Sequence, residues 1–153
     1  MKKIEFKKKV LETAKKRQQE IVNDFKTRIN DLNGIEYITD EDQHDLDQQA
    51  ANQSNKELIA ILTKEMNFAQ IELDFLNKMI VADEALNNAV IGAVVVTDKI
   101  TFYPSVSIEN FEVEGKPIFG ISKNAPLYKE MDGKGINDSF SYRDYTYKIL
   151  DIY

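Results

Sequence analysis

Two long stretches without proline or glycine, residues 3–32 and 45–81, constrain this chain more than any other feature. In the first, Ile4, Leu11, Ala14, Ile21, Phe25 and Leu32 recur near helical spacing. In the second, Leu58, Leu62, Met66, Ala69, Leu73, Leu76 and Ile80 do the same. Each stretch is expected to be an amphipathic helix, because residues three and four apart fall on one helical face. The first would be roughly 45 Å long at 1.5 Å per residue. Asn33-Gly34 is the expected stop, since glycine tolerates the left-handed conformation of a helix C-cap. An acid-dense loop to His44 follows. Two long helices joined by a short loop bury their stripes by pairing antiparallel. Near that loop, residues 48–57 offer only Ala50 and Ala51 as apolar side chains, so this end is expected to be weakly packed and exposed.

The pattern changes after Asn87-Asn88. Val90–Val96 is short and β-branched and reads as a buried strand. Strands are expected again at Ile100–Tyr103, Phe111–Val113 and Ile118–Ile121, with a turn at Glu114-Gly115-Lys116-Pro117. Ser139–Tyr142 and Tyr145–Ile152 read as a closing hairpin around Arg143-Asp144. Pro126–Met131 reads as a short helix, with proline at an early position where its missing N–H costs nothing. Phe102, Tyr103, Phe111 and Phe119 lie on these strands and are expected in the core. The predicted fold class is α+β: an N-terminal antiparallel helical hairpin (a coiled coil) over residues 1–82, a linker over 83–88 that is a candidate hinge, and a small, mostly antiparallel sheet domain with one short helix over 89–153.

Composition closes several routes. With no cysteine among 153 residues, disulfides and thiolate metal sites are impossible, and a single histidine argues against a zinc site. The first residues are charged with no apolar run behind them, which predicts no signal peptide. The longest apolar run, residues 89–96, is too short to span a bilayer, so a cytoplasmic protein without a membrane partner is expected. Asp40-x-Asp42 resembles the start of a calcium loop, but Asp45 stands where that loop needs glycine and Ala51 where it needs glutamate. Ser122 has no histidine to activate it, which excludes triad chemistry in practice. Charge is polarised along the chain: +6 over residues 1–30, −10 over 31–86 and −2 over 87–153. The basic clusters Lys7-Lys8-Lys9 and Lys15-Lys16-Arg17 are usually just solvated in such helices, yet they are also candidates for RNA contact.

One segment is more specific. Ile121-Ser122-Lys123-Asn124-Ala125-Pro126-Leu127 leads through Tyr128–Asp132 to Gly133-Lys134, with Asp138 four residues on. It resembles the C-terminal signature of the Gre family of transcript cleavage factors, an Ile-Ser-x-x-Ser-Pro-Leu turn entering a short helix that leaves through Gly-Lys. Ala125 stands where the family has serine. Val90–Val95 and Tyr147–Ile152 are similar to the family's opening and closing strands of the C-terminal domain, and the resemblance covers nearly the whole chain.

The resemblance implies a coiled-coil arm and an FKBP-like domain acting on bacterial RNA polymerase. In that family the arm enters the polymerase's secondary channel and its tip carboxylates help hold an Mg²⁺ of the polymerase's own active site, so that backtracked RNA is cleaved. Such a protein is not itself an enzyme and carries no cofactor of its own. The family's tip motif aligns with His44-Asp45-Leu46-Asp47-Gln48. Asp45 is then the expected catalytic and Mg²⁺-sharing residue, with Asp42 and Asp47 as neighbouring carboxylates and Gln48 in place of the family's glutamate. Pro126, Lys129, Gly133 and Lys134 fall in the segment expected to dock on the rim of the channel, and a monomer is expected. Two alternatives stay open: a cleavage-deficient Gre homologue that inhibits polymerase through the same channel, and an FKBP-like protein-binding or prolyl isomerase module, which would need an apolar, aromatic-lined pocket open to solvent.

Overall fold

The structure is a computed structural model that describes the backbone of residues 2–39 and 46–153 and the side chains of residues 2–34 and 50–153. The chain forms two compact units, one of Gln18–Leu73 and the other of Met1–Arg17 with Asp74–Tyr153. Helix α1 covers Lys2–Thr39 and helix α2 covers Leu46–Lys78.

The Gln18–Leu73 unit is a helical hairpin with a thin core. Val22, Ala69 and Leu73 are buried, flanked by the half-buried Ile21, Phe25 and Met66. Gln18 is 2% exposed and donates from Nε2 to the Ala69 carbonyl at 3.0 Å, while its Oε1 has no partner among the described residues. That bond ties the helices at one level, since a buried amide is costly to leave unmade. Helix α1 does not stop at Asn33-Gly34 but continues to Thr39, which corrects the sequence expectation. A lone glycine inside a helix costs only about 1 kcal/mol relative to alanine, too little to end a helix whose hydrogen-bond ladder goes on.

The other unit is built on a six-stranded sheet in the order β3-β4-β2-β1-β6-β5. Its strands are β1 (Val95–Thr97), β2 (Thr101–Ser105), β3 (Phe111–Val113), β4 (Lys116–Ser122), β5 (Ser139–Tyr142) and β6 (Tyr145–Ile152). The short helix α3 spans Pro126–Met131. Val90–Val96 is not one strand. Gly92 adopts φ +90° in a turn, its N–H bonded to the Pro104 carbonyl at 2.8 Å, and only Val95 and Val96 of the run join the ladder. Ala89, Ala93 and Val94 are nonetheless fully buried, so the apolar run reported burial and not extension. The sheet is also mixed, not antiparallel throughout, because β2 and β4 pair in parallel with Phe102 beside Phe119 and Ser105 beside Ser122.

That parallel pair requires a crossover. Residues 106–110 carry the chain from β2 to the far side of β4, and Val106 and Ile108 are buried on the way. Gly120 makes this possible: its N–H bonds to the Ile108 carbonyl at 3.0 Å, and a Cβ there would lie 2.7 Å from the Val106 carbonyl oxygen. Two cores flank the sheet. In one, Phe6, Val10, Leu11 and Ala14 of α1 and Leu76 of α2 pack with Val94, Tyr103, Val113 and Ile118. In the other, Tyr128 and Met131 of α3 pack with Val95, Phe102, Phe140, Tyr147 and Ile149.

Two glycines therefore predict opposite outcomes. Gly120→Ala is expected to lower the stability of the sheet unit by about 1–3 kcal/mol, the usual cost of overpacking against backbone. Gly34→Ala, with nothing within 4 Å of the added methyl, is expected to stabilise the hairpin by up to about 1 kcal/mol. Urea unfolding followed by circular dichroism checks both.

Candidate functional site

The segment from Ser122 to Asp138 is built by backbone hydrogen bonds at each bend. Where β4 ends, Ser122 Oγ accepts from the Asn124 N–H at 3.2 Å and the Ser122 carbonyl accepts from the Ala125 N–H at 3.0 Å. Ala125 is the N-cap of α3 in extended conformation (φ −69°, ψ 137°), and Pro126 opens the helix. Alanine offers no side-chain oxygen to the first N–H groups, and no side-chain cap bond is made. The helix is anchored by Tyr128 and Met131, both buried. Burial pushes the Tyr128 phenol up to about 12, helped by the bond its hydroxyl donates to Asp132 Oδ1 at 3.1 Å.

The exit is equally determined. Gly133 takes φ +78°, a left-handed conformation that costs glycine nothing. Its N–H reaches the Ala89 carbonyl at 2.8 Å, and the Ala89 N–H reaches the Lys134 carbonyl at 2.7 Å. Asp138 then closes the next turn, accepting the Gly135 N–H on Oδ2 at 2.8 Å, while its carbonyl accepts from the Ile149 N–H at 2.9 Å. The motif's serine, proline, glycine and aspartate thus each hold a bend. Pro126, Lys129, Gly133 and Lys134 are all exposed, so this framework presents them to solvent.

The expected tip residues are not reached by these observations. Asp42 and Asp45 lie outside the described residues, and of Asp47 and Gln48 only the helical backbone is described. Among the described residues no group of carboxylates and histidine is arranged to hold a metal, and no helix is long and apolar enough to cross a membrane.

The basic clusters of α1 prove heterogeneous. Lys7 is 2% exposed, and burial lowers its ammonium below the ordinary value. Lys9 forms a short ion pair with Glu114, which raises the lysine and lowers the carboxyl. Lys15 meets Glu12 at 3.4 Å, and Lys3 meets Asp151 at 2.8 Å. Lys8 and Lys16 are exposed. A cluster that looks continuous in sequence is thus partly spent on packing and on local ion pairs.

Phe119 corrects a second expectation. Phe102, Tyr103 and Phe111 are buried, but Phe119 is 38% exposed. It lines an open cleft of about 220 Å³ with Ile100, Thr101 and Pro117, and Lys99 and Lys116 stand at the same cleft. The cause lies in the register: Phe119 sits beside Phe102 on the α3 side of the sheet, toward the end of β4 where Lys116 and Pro117 are also exposed. Strand position alone could not separate a covered stretch of sheet from an uncovered one.

Two substitutions test this geometry. Ala125→Ser supplies the missing cap and is expected to stabilise the sheet unit by about 0.5–1 kcal/mol. Lys7→Met removes a charge that burial disfavours and is expected to raise the urea midpoint at neutral pH. Because the folded lysine is depressed below its ordinary 10.5, the wild type should recover stability as pH rises through the folded value toward 10.5. The difference between wild type and Lys7→Met should narrow over that interval. No protein-family model and no curated protein matches this chain.

Proposed function

We propose that this chain is a Gre-like regulator of bacterial RNA polymerase, entering the secondary channel with its helical hairpin and docking through the Pro126–Lys134 segment. The observation that carries the reading is the Ile121–Lys134 segment: Ser122 closes the entry turn, Pro126 opens α3 and Gly133-Lys134 is tied back to Ala89. The order of parts, two long packed helices and then a small mixed sheet with one short helix, supports the same reading. The exposed Lys8 and Lys16 are the cations of the two clusters available to RNA.

In this reading Asp45, flanked by Asp42 and Asp47, brings carboxylate to the polymerase's Mg²⁺. Bound there, the metal stabilises the attacking and leaving oxygens of the displacement. Gln48 is a neutral amide where the resemblance places a glutamate; it takes up no proton and is a weaker ligand for a hard cation. Cleavage therefore rests on Asp45, and if that single carboxylate is insufficient the protein acts as an inhibitor in the same channel. A second reading, a protein-binding or prolyl isomerase module, is favoured by one observation, the open cleft at Phe119.

In backtracked complexes of the cognate polymerase, the protein is expected to release 3′ RNA fragments and Asp45→Asn to lose most of that activity. Displacement of a known cleavage factor without RNA cleavage would assign the inhibitory form. Absence of polymerase binding, together with isomerase activity lost in Phe119→Ala, would replace the reading with the second one.

A further inference from the structure

The β5–β6 hairpin turns backbone groups outward on both sides, and only one side is closed. On the β6 side, Asp98 gives its N–H to the Lys148 carbonyl at 3.0 Å and takes the Lys148 N–H on Oδ1 at 2.9 Å. Lys99 Nζ donates to the Thr146 carbonyl. On the β5 side the two-residue loop Arg143-Asp144 sets the alternation: Tyr142 bonds with Tyr145 and Phe140 with Tyr147. The Ile149 N–H bond to the Asp138 carbonyl fits the same alternation. The N–H and C=O groups of Ser139 and Ser141 therefore point away from β6. Both residues are exposed, and among the described residues no backbone group bonds to them on that side.

Edge strands usually carry a device against pairing: a charge, a proline, a bulge or brevity. The sheet's other edge, β3, has three residues with the exposed Glu112 at its centre. β5 reads Ser-Phe-Ser-Tyr, with neither charge nor proline. It is bounded at both ends. Asn137, at φ +73°, shares Ile149 with Asp138 in a bulge, and Arg143, at φ +55°, starts the turn. The pairable edge is thus centred on Phe140, with one outward-facing residue on each side.

An antiparallel strand of the same sequence, related by a two-fold axis at Phe140, matches this edge. Ser139 comes level with the partner's Ser141, and Ser141 with the partner's Ser139. Each pair exchanges N–H and C=O groups, which gives four hydrogen bonds across the join. The ends match in charge as well. Asp138 comes level with the partner's Tyr142, and in each copy the Arg143 guanidinium lies over the Tyr142 ring at 5.3 Å. Opposite charges therefore approach at both ends, while Asp144, further out, comes level with the uncharged Ile136 of the partner subunit. Parallel pairing in register would instead set Asp138 beside Asp138 and Arg143 beside Arg143, which costs energy.

We infer that β5 is a self-pairing edge whose occupant is a second copy of the chain, joining the two sheets antiparallel about Phe140 in an isologous contact. The inference stands on this edge alone and does not rest on the proposed polymerase partner. It departs from the monomer expected from the resemblance. An edge this short buries less than the roughly 1,200–2,000 Å² of a standard stable interface, so the dimer should be a reversible one that dissociates on dilution.

Sedimentation velocity of the full chain from about 1 to about 500 µM, the range of such reversible association, tests it. The expected result is a concentration-dependent dimer. Ser141→Pro removes an outward N–H at an edge position where proline is tolerated. By symmetry it deletes two of the four bonds, and it should raise the dissociation constant about tenfold or more. Ser141→Lys, which puts a charge on the edge and keeps the N–H, is the second variant should proline disturb the fold by circular dichroism. Amide exchange read by NMR gives an answer without substitution: Ser139 and Ser141 should exchange slowly only at high concentration, and Phe140 slowly at every concentration. A wild type that stays monomeric throughout overturns the proposal. So does a dimer indifferent to both Ser141 variants, or one in which the Ser139 and Ser141 amides gain no protection.

Discussion

The structure depends first on the apolar seam where the start of α1 and the end of α2 lie on one face of the sheet. Val10, Ala14, Leu76 and Val94 are fully buried there, and Tyr103 is 1% exposed. Each large side chain so buried contributes on the order of 1.5–3 kcal/mol, and none of these elements can bury its face without the others. Burial of Tyr103 also drives its phenol far above the ordinary range. The first turns of α1 and the last of α2 belong energetically to the sheet, and only the middle of the hairpin relies on its own thin core.

The rim of that seam explains what the lysine-rich start is for. Lys3 reaches Asp151 and lies over the Tyr153 ring at 5.1 Å, Lys9 reaches Glu114, and Lys116 lies over the Phe6 ring at 5.1 Å. Exposed pairs of this kind add little stability individually. Their value is geometric, since lysine stems cover apolar edges while their charged heads stay in water. The polarity of charge along the chain is thus satisfied in part within the molecule, before any external partner is considered.

Much of this was legible in sequence wherever local chemistry decides the outcome. The β3, β5, β6 and α3 boundaries follow from alternation, from turn residues and from Pro126, and Arg143-Asp144 does turn the last hairpin. Reading failed where the decision is tertiary. The Val90–Val96 run is apolar because it is buried, and its pairing is ended by the Gly92 turn. Gly34 looks like a stop but its cost is too small to act as one. The parallel pairing of β2 and β4 depends on what lies against Gly120, which no periodicity reports. The turn-forming residues of the candidate docking segment were readable for a related reason: proline at a helix start, glycine at positive φ and aspartate in a turn have local physical roles.

The crossover behind that parallel pair also bears on how the sheet is assembled. Hairpins such as β5–β6 can zip from their turns, because each new contact closes only a short loop. β4 cannot dock on β2 in that way. The intervening chain carries the β3–β4 hairpin and lays Val106 and Ile108 across Gly120. Contacts distant in sequence carry a loop-closure cost before they return any energy, and this slows folding. Until β4 is docked, the β2 edge that receives it is unpaired on that side.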